Sequence, residues 1–264
     1  MFNIFKKKKK KIGLCLGGGG TRGFGHLGAI KAFEEYGIKF DMVAGTSVGS
    51  IVGVMYSAEM TFQEIYNISK SIVPKDIKKS KFGFMPSSTE GLQNFLKSFM
   101  KYEKIEDLPI KFWAVAVDLK TGMEYNFEHG DLAPIVAGSC AVPAIFTPVQ
   151  YKNYNLIDGG VLNNIPANVL KEDGCDIVIT VDVNSSRGSG TASSKTLDTI
   201  MASFSIMMKN NSKNGYTYSD IVIQPNIKKY KSTKLDGADE MIQEGYNATI
   251  KAMPQIIEII GKKK

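Results

Sequence analysis

The chain has 264 residues, 43% of them apolar and 22% charged, which is ordinary globular composition and excludes a fibrous or disordered body. Its net charge of +7 is concentrated in the ends, with six lysines at Lys6 to Lys11 and three at Lys262 to Lys264, leaving the remainder at −2. A body without cationic character gives no footprint for nucleic acid, and no run approaches the roughly 20 apolar residues of a membrane span.

The first five residues, with Phe2, Ile4 and Phe5, are too short for a signal-peptide core, and their charges follow rather than precede them. Two readings stay open for this tail. It is either a solvated basic end, or an interfacial anchor in which Phe2, Ile4 and Phe5 enter a bilayer while Lys6 to Lys11 meet anionic lipid.

Beyond the tail, short apolar runs alternate with amphipathic stretches. Strands are expected at Ile12–Leu16, Asp41–Ala44, Lys111–Leu119, Glu124–Phe127, Tyr154–Ile157, Asp176–Val183 and Asp220–Gln224. Helices are expected at Phe24–Tyr36, Val48–Ala58, Thr61–Ser71, Thr89–Met100, Asp131–Ser139, Leu197–Asn211 and Asp236–Ile260. The alternation predicts an α/β fold: a three-layer α/β/α sandwich around a mostly parallel central sheet, formed as one domain over residues 12–261 between the basic tails 1–11 and 262–264. The Ser- and Gly-rich stretch Asn184 to Ser194 reads as a loop. The methionines between Met201 and Met208 suit a buried helix, and also a groove for acyl chains. Cys15, Cys140 and Cys175 are odd in number and sit in apolar surroundings, so reduced thiols and a cytoplasmic-type compartment are expected.

Three segments carry chemistry. Gly17 to Gly20, followed by Thr21, Arg22 and Gly23, come directly after the first strand. Unshielded amides at Gly18, Gly19 and Gly20 are the material of an oxyanion hole. The same run fits G-x-G-x-x-G, but a dinucleotide site then needs an acid closing the next strand, whereas Asp41 opens it. Next, Gly45-Thr46-Ser47-Val48-Gly49 lies between an apolar strand and a tightly packed helix, the setting of a nucleophile elbow. Finally, Asp158-Gly159-Gly160 closes an apolar strand, although Asp-Gly is equally a common turn pair.

The histidine count narrows the base. Only His26 and His129 are present and neither follows Asp158, so the order Ser, acid, His is missing. His129 remains the next candidate after a carboxylate. An aspartate is a weak base in water, but burial and a strong oxyanion hole can compensate for that.

Taken together, Gly18-Gly19-Gly20-Thr21-Arg22-Gly23, Gly45 to Gly49 and Asp158-Gly159-Gly160 resemble the patatin-like phospholipase family in motif, order and spacing. The stretch Gly138 to Val149 and the tripeptide Asn164-Ile165-Pro166 are also similar to it. The resemblance implies a Ser47–Asp158 dyad, an acyl-enzyme, lipid carboxylic esters as substrates, and neither metal nor other cofactor. Arg22 would support the glycine loop or meet a phosphate headgroup. The competing expectation is a lipid- or membrane-binding module of the same fold with marginal catalysis. Peripheral contact with a membrane surface fits either.

Overall fold

The computed structural model describes residues 10–71, 86–185, 196–230 and 237–261. Most of the N-terminal tail, the C-terminal lysines and most of the Ser/Gly-rich loop therefore lie outside the described residues.

The strands are β1 (Ile12–Leu16), β2 (Met42–Thr46), β3 (Lys111–Asp118), β4 (Met123–Phe127), β5 (Val149–Tyr151), β6 (Tyr154–Asp158), β7 (Ile177–Val181) and β8 (Ile221–Ile223). They form one sheet in the order β5-β6-β3-β2-β1-β7-β8, with β4 also paired to β3. β3, β2, β1, β7 and β8 run parallel, while β4 and β6 run against β3 and β5 runs against β6.

The period of two along each strand sorts the core into two layers. Leu14, Leu16, Val43, Phe112, Ala114, Ile177 and Ile179 face the larger one. Cys15, Met42, Ala44, Trp113, Val115 and Val178 face the other. The larger face is covered by α1 (Phe24–Glu35), α2 (Val48–Ser57), α3 (Phe62–Lys70), α4 (Glu90–Phe99), α5 (Leu132–Ser139) and α8 (Ala238–Ile260). The opposite face takes α6 (Ala167–Glu172) and contacts from α7 (Thr196–Thr217). This is the expected three-layer, mostly parallel architecture.

Local differences have plain causes. The short α6 and the three-residue β5 carry too few residues for a periodic signal. Helix α7 runs six residues past the expected Asn211, because Ser212 and Gly215 bury against the body and override the weak helix propensity of that polar run. All three cysteines are buried and free. Among the described residues no helix is long and apolar enough to cross a membrane.

The sheet register brings the key segments together. β4 pairs with Ala114 to Asp118 along one edge of β3. The other edge is therefore shared: β2 covers Lys111 to Val115, and β6 covers Ala116 to Asp118. Thr46 stands opposite Val115, and Asp158 stands opposite Ala116, the very next rung. Two strands distant in sequence thus meet end to end, and both motifs leave the sheet at one point.

Candidate active site

Ser47 occupies the turn between β2 and α2 at φ 55°, ψ −127°, a conformation that costs a non-glycine residue about 1–3 kcal/mol. The flanking glycines are required by the approach of other backbone. A Cβ on Gly45 would lie 2.3 Å from Gly49 O, and one on Gly49 would lie 2.0 Å from Leu16 O. The elbow is also tied from outside. Ser47 N–H donates to Ser139 Oγ at 3.0 Å, and that hydroxyl donates to Val115 O at 2.6 Å. Thr46 Oγ1 donates to Asn163 O at 2.8 Å, and Ser50 Oγ donates to Ser47 O at 2.6 Å.

Asp158 is fully buried at the end of β6. Its Oδ1 accepts the Gly160 N–H at 2.8 Å. Burial pushes its pKa up to about 7, opposed by that amide and by the Ser47 side chain. Oδ2 makes no hydrogen bond of ordinary geometry. The Ser47 hydroxyl thus lies within reach of this carboxyl as a hydrogen-bonding partner, although no bond of ordinary geometry is completed to Oδ2.

The glycine loop runs alongside. A Cβ on Gly18 would fall 3.3 Å from Ser47 Cβ, so this backbone lies against the serine. The three expected amides are not equivalent. Gly18 N–H donates to Asn164 O at 3.2 Å, whereas those of Gly19 and Gly20 have no partner among the described residues. His26 sits beneath the loop with Nε2 2.8 Å from Gly17 O. Desolvation lowers its pKa to about 4, so the ring is neutral and ties the loop down. The Arg22 side chain is buried. Its Nε donates to Tyr230 O at 2.9 Å and its Nη1 to Asn184 Oδ1 at 3.3 Å, so it fastens neighbouring loops rather than facing solvent.

His129 lies elsewhere. It follows β4, which runs against β3 and so ends at the sheet edge opposite Ser47. Its side chain is exposed beside Glu128. The dinucleotide alternative fares no better, because Asp41 Oδ2 accepts the Ile12 N–H at 2.9 Å at the amino edge, away from the glycine loop.

Several contributors had no role assigned from sequence. Asn211 on α7 accepts the Asn164 N–H at 3.0 Å and donates to Gly160 O at 2.9 Å and Val161 O at 3.2 Å. Ser212 accepts from Asn164 Nδ2 at 3.2 Å. One helix thereby joins the aspartate turn to the strip of chain that holds Gly18. Met208 on the same helix closes the space above: its Cε would lie 3.3 Å from a Cβ on Gly18 and 3.2 Å from one on Gly160. The only signal in sequence for Asn211 and Ser212 was a polar cluster following the methionine-rich stretch.

A buried strained serine, an under-bonded aspartate and loop amides without partners among the described residues thus gather at the carboxyl edge of an α/β sheet. The family model described as patatin-like phospholipase matches residues 14–171, and the chain belongs to that family. Similar curated proteins include Lysophospholipase NTE1 of Pyricularia oryzae, 32% identical over 184 residues, covering 67% of this chain and 12% of that protein. Lysophospholipase NTE1 of Kluyveromyces lactis is likewise 32% identical over 182 residues, covering 66% of this chain and 13% of that protein. The chain therefore spans only about an eighth of the length of these relatives. Among solved structures, VipD from Legionella pneumophila shares the fold with a TM-score of 0.65 at 14% identity, over 94% of this chain and 67% of that one. Human GIVD cytosolic phospholipase A2, solved with methyl gamma-linolenyl fluorophosphonate, gives 0.53 at 9% identity, over 96% of this chain and 59% of that one.

Proposed function

We propose that this chain is a serine hydrolase of lipid carboxylic esters, with Ser47 as nucleophile and Asp158 as its general base. The observation that carries the reading is the meeting of β2 and β6 on adjacent rungs of β3, which sets the serine beside a carboxylate with one uncommitted oxygen.

In the proposed course, Asp158 accepts the proton of Ser47 as the serine oxygen attacks the ester carbonyl. Negative charge on the carbonyl oxygen is taken up by the N–H groups of Gly19 and Gly20, with the amino end of α2 adding its dipole. Collapse expels the alcohol, which leaves with the proton held by Asp158, and an acyl-Ser47 ester remains. Asp158 then takes a proton from water, hydroxide attacks the acyl carbon, and the fatty acid departs as Ser47 recovers its proton. A carboxyl with pKa about 7 is matched to this shuttling near neutral pH. No step calls for a metal or cofactor. The names of the curated relatives favour lysophospholipids, with other acyl lipids as the wider class.

Residues 12–261 act in this proposal as one catalytic unit. The tail with Phe2, Ile4, Phe5 and Lys6 to Lys11 supplies peripheral contact with anionic membrane, and Arg22 supports the loop. A fluorophosphonate probe should label wild type at Ser47 and leave Ser47→Ala unlabelled. An unlabelled wild type that binds lipid but turns over no ester would point instead to a binding module.

A further inference from the structure

The carboxyl edge of the sheet, where Ser47 emerges, also collects exposed apolar side chains. Of the large apolar residues exposed among the described residues, only Tyr36 and Tyr218 fall at the other edge. Leu119 and Met123 stand at the tip of the β3–β4 hairpin, which rises past the end of β2, and Leu162 follows the aspartate turn. The remainder lie on α7. Because α7 connects the parallel strands β7 and β8, it descends from the carboxyl edge, so its first half belongs to this surface. There Leu197, Ile200, Ile206 and Met207 are 52%, 41%, 69% and 43% exposed.

Beside this patch α7 forms one wall of a cavity of about 450 Å³ lined by Lys209, Lys213 and Lys228, with Tyr216, Gln224 and Asn226. None of the three lysines has an ion-pair partner among the described residues. Asp182, which accepts the hydroxyl of the cavity residue Tyr216, is buried. An apolar patch alone would also fit a second copy of the chain. A two-fold dimer through this face, however, would gather six such lysines in one interface, an excess of positive charge that an anionic surface offsets and a second copy does not. Apolar side chains rimmed by unpaired lysines match the acyl region and phosphates of an anionic bilayer.

We propose that the first half of α7, with Leu119, Met123, Leu162 and the lysine cavity, is a docking face for an anionic phospholipid surface. Met208, buried on the same helix, rests against Gly18 and Gly160 beside Ser47, so α7 ties this face to the surroundings of the nucleophile. Docking here delivers lipid to the site, and only that delivery rests on the hydrolase reading. Binding itself is measurable without catalysis.

The experiment is vesicle flotation of the full chain, using phosphatidylcholine with or without phosphatidylglycerol, in wild type and in a Ser47→Ala background. Ile200→Ser/Ile206→Ser/Met207→Ser should weaken binding to mixed vesicles by about tenfold or more. Lys209→Ala/Lys213→Ala/Lys228→Ala should weaken it similarly and remove the preference for anionic over neutral vesicles. Thermal melting and soluble-ester turnover should stay at wild-type values in both variants. The proposal is overturned if wild type ignores vesicles, or if either folded variant floats as wild type does. It is equally overturned if the apolar variant converts a dimer to a monomer while vesicle affinity is kept, since the face then joins two copies. Loss of vesicle binding in the variants, together with a wild type inert toward soluble ester, would leave docking standing and retire the hydrolase reading.

Discussion

Asp158 and Asp182 are both buried aspartates at carboxyl ends of strands in the same sheet, and burial raises the pKa of each. Their surroundings differ. Asp182 accepts the Asn184 N–H at 2.8 Å on Oδ1 and the Tyr216 hydroxyl on Oδ2, so both oxygens are occupied. Asp158 has the Gly160 amide on Oδ1 and no completed bond on Oδ2. A carboxylate that only holds loops together is saturated with donors. The open position on Asp158 is what the proposed proton transfer requires, and an unfilled buried acceptor costs stability.

Mutation separates the two most sharply in activity. Ser47→Ala and Asp158→Asn should each lower ester turnover by roughly 10³-fold or more while circular dichroism stays native. Asp182→Asn should keep turnover within about tenfold of wild type. Equal losses at the two aspartates would erase the distinction.

The pH profile is the next test. If Asp158 must be ionised to accept the serine proton, kcat/KM on a soluble ester should fall about tenfold per pH unit below its folded pKa of about 7. A limb centred near 4 would mean that burial does not govern the base.

Stability should move in opposite directions at the two sites. The folded pKa of Asp158 lies above its ordinary value of 3.8, so its ionised form destabilises the fold, fully above about pH 7 and not at all below about pH 4. Asp158→Asn should therefore raise unfolding free energy by about 1–3 kcal/mol at pH 8, with the gain fading as pH falls toward 4. Asp182→Asn places an amide NH₂ against existing donors and should cost about 1–3 kcal/mol. Denaturant titrations at pH 8 and pH 4 check both signs.

The smallest effect sharpens how Asp158 is held. Asn211→Ala frees the aspartate turn from α7 and should lower kcat by about tenfold with KM little changed. A change in KM alone would assign Asn211 to substrate binding.

The architecture was legible because buried parallel strands read as continuous apolar runs, and Ile12–Leu16 and the Met42–Ala44 run announced themselves in that way. The elbow was legible because tight backbone approach admits only glycine at positions 45 and 49. Asp158 could be suspected from its place at a strand end, and the shortage of histidines pointed to a carboxylate. Which glycine amides stay free was not readable, because the engagement of Gly18 depends on the carbonyl of Asn164, distant in sequence. Ser139, Asn211 and Ser212 escaped for a similar reason: a hydroxyl or amide on a helix gives no periodic signal of the tertiary bond it makes.

If Ser47 and Asp158 act as proposed, the shared edge of β3 makes catalysis a reporter of strand alignment. If β6 slipped by one residue along its partner, side chains would exchange faces and the carboxylate would point away from the serine, although the protein stayed compact and its helix content unchanged. A refolding mixture scored by spectroscopy alone would count such slipped molecules as recovered. Scored by ester turnover, it would count only those in which β6 had found its proper rung.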